Sequence, residues 1–307
     1  MKLIFNSYPS AEENLAFEEW YFKNFEEETI RIWRNPSSVI IGKHQNAYAE
    51  SDLLYCNESA IPIIRRISGG GTVFHDSGNL NFSFFRFVDI ENPISYKRNL
   101  EIIKACLNAL GYTVNISPRN DLFYENYKIS GNAQHLSKGR VLHHGTILYD
   151  SDKEKLNKAI KRSSGRYEDK SVKSVRSQVC NLRDKLDIGN TDVFLFELLN
   201  WLNSRFSFLE VGTIDLSREI DEKYNKESWN YHYGPAYTFY SEDAEWPIEL
   251  SVERGGKILN ASSENTRLNQ IITPLIDQTH SPKVIRKLLN ESSLVSPELD
   301  EMVKRCF

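Results

Sequence analysis

Three consecutive glycines, Gly69-Gly70-Gly71, stand between two apolar runs within the segment that starts at Arg65-Arg66-Ile67-Ser68, continues Thr72-Val73-Phe74-His75-Asp76-Ser77-Gly78 and ends at Asn79. A glycine triplet weakens a strand, since it adds chain entropy and offers no side chain to pack. Its place between strand-like runs points to close approach by a ligand or another backbone. A phosphate-binding P-loop would need Lys and then Ser or Thr behind the glycines, followed by a helix. Here Thr72-Val73-Phe74 continues as strand, and a dinucleotide-type Gly-x-Gly-x-x-Gly does not fit either. The physical reading is a glycine-lined floor on which a flat or elongated ligand lies against bare backbone. Amide N–H groups there can meet an anion, and Arg66 can pair with a phosphate or carboxylate. Taken alone, the segment is explained equally well by a tight bulged turn with a solvated arginine pair.

Secondary-structure signals on either side set the fold class. Ser10 and Glu13 make a capping-box pattern before Leu15, Phe17, Trp20 and Tyr21, which predicts a helix over residues 10–25. Strands are predicted at 30–33, 38–41, 61–67 and 80–87, and a helix at 100–110 stopped by Gly111. A hairpin follows, 121–124 with 127–130 around Glu125-Asn126. Another strand, 141–149, lies beyond a turn at Ser137-Lys138-Gly139. Helices are expected at 153–162 and 192–206, with a Ser-, Lys- and Arg-rich loop at 163–181 between them. Trp246-Pro247 marks a domain junction, and a hairpin through Gly255-Gly256 follows it. Two helices then start at Ser281-Pro282 and Ser296-Pro297, each with Ser as N-cap and Pro at the first helical position. Strand blocks with helices between them predict an α+β fold built on a mixed or antiparallel sheet. The length of 307 residues suits a large domain, 1–240, and a small one, 241–307.

A net charge of -4 argues against bulk nucleic-acid affinity. No apolar run is long enough to cross a bilayer, and the N-terminus lacks a signal-peptide core. The cysteines Cys56, Cys106, Cys180 and Cys306 are far apart and form no metal or disulfide spacing. A cytoplasmic protein with no membrane partner is expected.

Further segments carry chemistry. Lys128 lies between Tyr127 and Ile129 on a predicted strand close to Gly131, so its ammonium can reach into a pocket; a solvated sheet-edge lysine is the plain alternative. His143-His144-Gly145-Thr146 offers two imidazoles, but neighbours on a strand point to opposite faces, so at most one of them serves any one site. Lys170, Lys173 and Arg176 recur every three residues among serines, as a phosphate-folding loop or a solvated one would. Ser68, Ser130 and the cysteines are the nucleophile candidates. No Gly-x-Ser-x-Gly elbow is present, and no cysteine falls between Lys128 and Asp150.

Taken together, these segments resemble the lipoate–protein ligase family. Arg65 to Asn79 follow the family pattern Arg-Arg-x-Ser-Gly-Gly-Gly-x-Val-x-His-Asp-x-Gly-Asn throughout. Asn120, Asp121, Lys128, Ser130, Gly131 and Ala133 match its lysine block. His143, His144, Gly145 and Thr146 match its histidine strand, with Ile147 in place of Leu. Ser174 to Leu182 match its Ser-Val-Arg-Ser-x-Val-x-Asn-Leu, and Asn14 to Glu19 and Val39 to Asn46 match two early pieces. Order and spacing agree over roughly residues 1–235. The sequence departs at Trp229-Asn230-Tyr231-His232-Tyr233-Gly234 and at the Pro-Ala that follows, and it matches only loosely after Trp246.

The resemblance implies the catalytic fold shared by lipoate and biotin ligases and class II aminoacyl-tRNA synthetases, with a small accessory domain. It implies two steps. Lipoate and ATP, with Mg2+, give lipoyl-AMP and pyrophosphate; a lysine on an acceptor then takes the lipoyl group and AMP leaves. No tightly bound cofactor is implied, and the metal ligands stay open. By the same resemblance Lys128 is catalytic. Arg66, Ser68, Gly70, Gly71, Thr72, Val73, Phe74, His75, Asn79, Asp121, His144, Gly145 and Thr146 line the ATP and lipoyl-AMP site. Ser174, Val175, Arg176 and Ser177 form an adenylate loop. The implied acceptors are lipoyl domains of 2-oxoacid dehydrogenase E2 subunits or the glycine-cleavage H protein. Two alternatives stand beside this: a transferase that uses a preformed activated acyl group without ATP, and a non-catalytic binder of lipoate or lipoylated domains.

Overall fold

The architecture is organised by the strand Asn79–Phe87, whose alternation sets what lies above and below it. Leu80, Phe82 and Phe84 face one way, into a core with Leu100, Ile103 and Leu107 of the helix Lys97–Ala109 and Leu198 and Leu202 of the helix Thr191–Asn203. Phe85 faces the other way and packs with Leu15, Phe17 and Tyr21 of the helix Ala11–Asn24. Asn81 and Ser83 share that second face and are buried. Buried polar residues on a core face need partners, and theirs form part of the site described below.

The computed structural model describes residues 1–88, 96–160, 166–174, 177–241, 245–290 and 296–307. Val175 and Arg176 of the expected adenylate loop lie outside the described residues. Among the described residues the strands form four sheets. The largest has six strands in the order Asn132–Ser137, Arg140–Leu148, Asn79–Phe87, Thr29–Trp33, Lys2–Phe5 and Ser207–Phe208. The first four are antiparallel neighbours, and the last two pairings are parallel. The expected α+β fold with a mixed sheet is therefore met. In a second sheet Ser38–Ile41 lies between Ile63–Arg65, parallel to it, and Val73–His75, antiparallel to it. The glycine segment is the loop joining those two outer strands, so it must cross the end of the middle one. That crossing is tight: Gly70 has φ +86°, and a Cβ on Gly42 would lie 2.0 Å from the Gly70 carbonyl oxygen. Gly42→Ala is expected to cost about 1–3 kcal/mol, because backbone must move to admit the methyl group. Thermal unfolding checks this; an unchanged midpoint would show that the crossing has slack.

The third sheet, Val114–Ile116, Leu122–Tyr124 and Tyr127–Ser130, carries Lys128. Its register shifts between Leu122 and Phe123, where Leu122 pairs with Ser130 but Phe123 with Lys128. A bulge of this kind re-aims a side chain. Lys128 is not on a bare edge: its N–H donates to the Gln178 carbonyl at 2.9 Å, and Val179 bridges it in parallel.

The fourth sheet orders Tyr167–Asp169, Tyr237–Tyr240, Glu249–Val252 and Ile258–Ser262, all antiparallel. Its core includes Phe239, Leu250, Ile272 and Ile285, and it runs on to Val39, Ile41, Tyr48 and Phe74. Tyr167–Asp169 corrects the expectation of an unbroken loop at 163–181. Three residues are too few to show a period, and the strand is fixed by Tyr167, buried against the rings of Tyr237 and Phe239. The strand Asn132–Ser137 was likewise not expected, because Asn-Ala-Gln-His-Leu-Ser has no apolar alternation. The capping box at Ser10 and Glu13 forms as predicted. Ser281 precedes the helix Pro282–Leu289 in extended conformation, yet its side chain makes no capping hydrogen bond. No helix among the described residues is long and apolar enough to cross a membrane.

Candidate active site

A cavity of about 270 Å³ opens where the glycine loop, the histidine strand and the lysine hairpin meet. Gly70, Gly71, Thr72 and Val73 form its floor, and His144, Gly145, Thr146 and Asn81 one wall. Lys128, Asp121 and Arg119 stand over it, and Leu15, Trp33, Ile40 and Ala133 make an apolar end. A neighbouring cavity of about 240 Å³ shares Thr72, Val73, Lys128, Gly131, Thr146, Lys173 and Ser174 with the first, and adds Phe74, Leu148, Leu156 and Ile160. Lys128 thus borders both chambers. Of the expected site residues, Arg66, His75 and Ser174 also line the first cavity, and Phe74 and Ser177 the second. Ser68 and Asn79 line neither; both are buried behind the wall.

The Lys128 ammonium lies 3.0 Å from the Asp121 carboxylate, each side chain being only partly exposed. Gly131 lies beside it, and a Cβ there would sit in ordinary contact, 3.6 Å from Lys128 Cε. Arg66, which lines the cavity, also makes hydrogen bonds within the protein. Its Nε donates to Ser68 Oγ at 3.0 Å, Nη1 to the Ile40 carbonyl at 3.0 Å, and Nη2 to the Gly69 and Gly71 carbonyls at 2.6 and 2.7 Å. With four bonds made inside the protein, this guanidinium holds the shape of the glycine loop. Arg65 is buried too, and binds the carbonyls of Gly42, Lys43, Gln45, Trp229 and Asn230. It thereby ties the divergent Trp229-Asn230 stretch to the loop.

Beneath the apolar end runs a buried chain of hydrogen bonds. Trp33 Nε1 donates to Ser83 Oγ at 2.8 Å, and Ser83 donates to Glu18 at 2.5 Å. The second oxygen of Glu18 meets His144 Nδ1 at 2.9 Å, and His144 Nε2 meets Ser68 Oγ at 2.6 Å. A carboxylate only accepts, so Nδ1 of His144 carries the proton. Burial alone would raise the Glu18 carboxyl, but the His144 ring and the Ser83 hydroxyl hold it below the ordinary glutamate range. Sequence reasoning did not single out Glu18. The available signal was a carboxylate four residues from Asn14 and Phe22, on the helix face that must be buried. His143 points to the opposite side of the sheet, against Phe82, Phe84 and Tyr96, as strand alternation requires.

Ser174 closes the site from above. It accepts from the Thr72 N–H at 3.0 Å and from Gln45 Nε2 at 3.1 Å, and its hydroxyl donates to Glu50. Gln45 also accepts from Thr72 Oγ1 at 2.9 Å and donates to the Val172 carbonyl at 3.1 Å. The loop and the glycine floor are therefore joined through Gln45 and Glu50, two residues the sequence reading had not named as site residues. Lys173 in the same loop is paired with Asp169 at 3.2 Å. Among the described residues, no group of three or more His, Cys, Asp or Glu side chains is placed to hold a metal ion.

Residues 10–196 match the family model described as lipoyl protein ligase A/B catalytic domain. The chain is 34% identical over 261 residues to lipoate-protein ligase LplJ of Bacillus subtilis (strain 168), covering 79% of this chain and 78% of that one. The chain belongs to the lipoate–protein ligase family. Solved structures of such ligases share its fold. One, described as a bi-partite lipoate protein ligase and its E2 lipoyl domain from Thermoplasma acidophilum, superposes with a TM-score of 0.64 at 28% identity, covering 75% of this chain and 95% of that one. Another, lipoate-protein ligase A bound with ATP, gives a TM-score of 0.62 at 29% identity, covering 75% of this chain and 98% of that one. As a lipoate–protein ligase the protein is an enzyme.

Proposed function

We propose that the protein joins lipoate to ATP across Lys128 and then passes the lipoyl group to an acceptor lysine. The observation that carries this reading is the position of Lys128 on the border of both cavities. The apolar end of the first cavity suits the dithiolane and its aliphatic tail. The glycine-loop amides and the second cavity suit the phosphates and the nucleoside. In adenylation the lipoate carboxylate attacks the α-phosphorus of ATP and pyrophosphate departs. Two anions must meet, and the Lys128 ammonium between them offsets their repulsion and the charge that develops. In the second step the acceptor amine attacks the acyl carbonyl and AMP leaves, with the same ammonium near the oxygens that gain charge. The hydrogen-bonded chain from Glu18 to Ser68 keeps the His144 ring fixed in the wall. The loop around Ser174 covers the mixed anhydride and excludes water.

Mg2+ arriving on the nucleotide fits this chemistry, because that ion is held by substrate phosphates plus one or two carboxylates, and Asp121 is a carboxylate on the wall. It would neutralise phosphate charge. The acceptor class we assign is the lipoyl domain, as in E2 subunits or the H protein, by analogy with the Thermoplasma pair. Four free, buried thiols suit the reducing cytoplasm.

Pyrophosphate release from ATP and lipoate, followed by AMP release on adding an apo lipoyl domain, is the expected result. If well-folded protein released no pyrophosphate, the ATP-dependent reading would fall. Transfer from supplied lipoyl-AMP would then identify a transferase.

A further inference from the structure

We infer that Arg119 holds the departing pyrophosphate in the adenylation step, an inference that rests on the ATP-dependent reading above. Adenylation forms a bond between a lipoate oxygen and the α-phosphorus and breaks the α–β bridging P–O bond. The electron pair of that bond leaves on pyrophosphate, so negative charge grows on the side of the phosphorus opposite the attacking carboxylate. A cation is needed there as well as at the point of attack.

The cavity is bordered by four cationic side chains, Arg66, Lys128, Lys173 and Arg119. Arg66 uses four of its five N–H donors on Ser68 and three backbone carbonyls. Lys128 is paired with Asp121, and Lys173 with Asp169. Among the described residues the Arg119 guanidinium has no hydrogen bond or ion pair, and its side chain is exposed at the cavity mouth. A free guanidinium presents a planar fork of N–H donors that matches phosphate oxygens two at a time.

Its backbone is built rather than loose. Ser117 Oγ accepts from the N–H groups of Arg119 at 3.3 Å and Asp121 at 3.1 Å. Ser117 N–H donates to the Asp121 carbonyl at 2.9 Å, and Asn120 N–H to the Ser117 carbonyl at 3.0 Å. Asn120 takes φ +62°, and its carbonyl accepts from Asn132 Nδ2 at 2.9 Å, a residue of the cavity wall. This turn puts Arg119 and Asp121 on the same cavity, one beside Lys128 and the other unpaired.

The two half-reactions separate this role from a structural one. Arg119→Ala should lower kcat/KM for ATP in pyrophosphate release by about 10- to 100-fold. In the reverse direction, with lipoyl-AMP and inorganic pyrophosphate, KM for pyrophosphate should rise by a similar factor. Transfer from supplied lipoyl-AMP to an apo lipoyl domain involves no pyrophosphate, so the ratio of transfer to adenylation rates should rise at least about 10-fold. Arg119→Lys should restore part of the loss. An unchanged ratio, whether both rates hold or both fall together, would overturn the inference, since a fold defect or a role in docking the acceptor moves transfer too. These outcomes are read against wild-type protein that does release pyrophosphate; a wild type that released none would overturn the ATP-dependent reading, and this inference with it.

Discussion

Lys128→Ala is expected to lower lipoyl-AMP formation by about 10²- to 10³-fold and leave the fold intact. The fold part follows from what Lys128 contributes to structure. Its backbone makes the sheet contacts with Phe123 and Gln178, and alanine keeps these. Its side chain makes an ion pair with Asp121, with the two side chains 22% and 15% exposed. Water still reaches a pair of that kind, so losing it should cost no more than about 1 kcal/mol. The catalytic part follows from position. The other lysine on both chambers, Lys173, has its charge paired with Asp169, and Arg66 is locked into the loop. Arg119 borders the first cavity but not the second, so it is not placed as Lys128 is to stand between carboxylate and phosphate. Transfer from supplied lipoyl-AMP should fall as well, because the same charge acts on both steps. Pyrophosphate release, anhydride-dependent transfer and thermal unfolding of one preparation test all three statements. Near-wild-type turnover would remove Lys128 from the mechanism.

Much of this site was legible in the sequence, and the reason is physical. Glycines that touch backbone or ligand, a lysine one bulge from a turn, and two histidines on a strand are local features, and each carries its constraint in its own neighbours. Gly70 with φ +86° and the turn at Lys138-Gly139, both at positive φ, are of that kind. What was not legible depends on distant pairs. Gln45 and Glu50 gain their role only because Ser174, over a hundred residues away, lands on them. Glu18 looked like one of several acidic residues on an amphipathic helix until His144 closed on it across 126 residues. That four bonds of the Arg66 guanidinium turn inward is set by where Ser68, Ile40 and the glycine carbonyls come to rest. The strand Asn132–Ser137 is polar because one edge is half-exposed, and no period in its residues announced it.

Lowering the pH from 7 to about 5 should destabilise the protein by several kcal/mol, and buried histidines are the cause. His75, His143 and His280 are buried. Burial, helped by nearby positive charge, pushes His75 from 6.5 to about 3 and His143 to about 3; burial alone dominates at His280, which falls to about 4. The geometry agrees. Nδ1 of His75 accepts from Asn35 Nδ2 at 3.0 Å, Nδ1 of His143 from Asn99 Nδ2 at 3.1 Å, and Nδ1 of His280 from the Tyr237 hydroxyl at 2.5 Å. Nε2 of His280 donates to the Cys306 carbonyl at 2.7 Å. Protonating Nδ1 would set one N–H against another donor. In the unfolded chain the same rings take up a proton as pH falls through 6.5. Between there and the folded values the unfolded state binds more protons, so stability is full above that pH and is lost as pH drops. Each ring then contributes about 1.4 kcal/mol per pH unit, or about 2 kcal/mol by pH 5, and the three together about 6 kcal/mol. That is comparable to the whole stability of an ordinary domain. Denaturant unfolding at a series of pH values measures the slope. His143→Gln should flatten it by about one ring's share, whatever it does to stability at pH 7, because glutamine does not titrate. A stability that stays level from pH 7 to 5 would mean that these rings are charged, or reach water, in the folded protein.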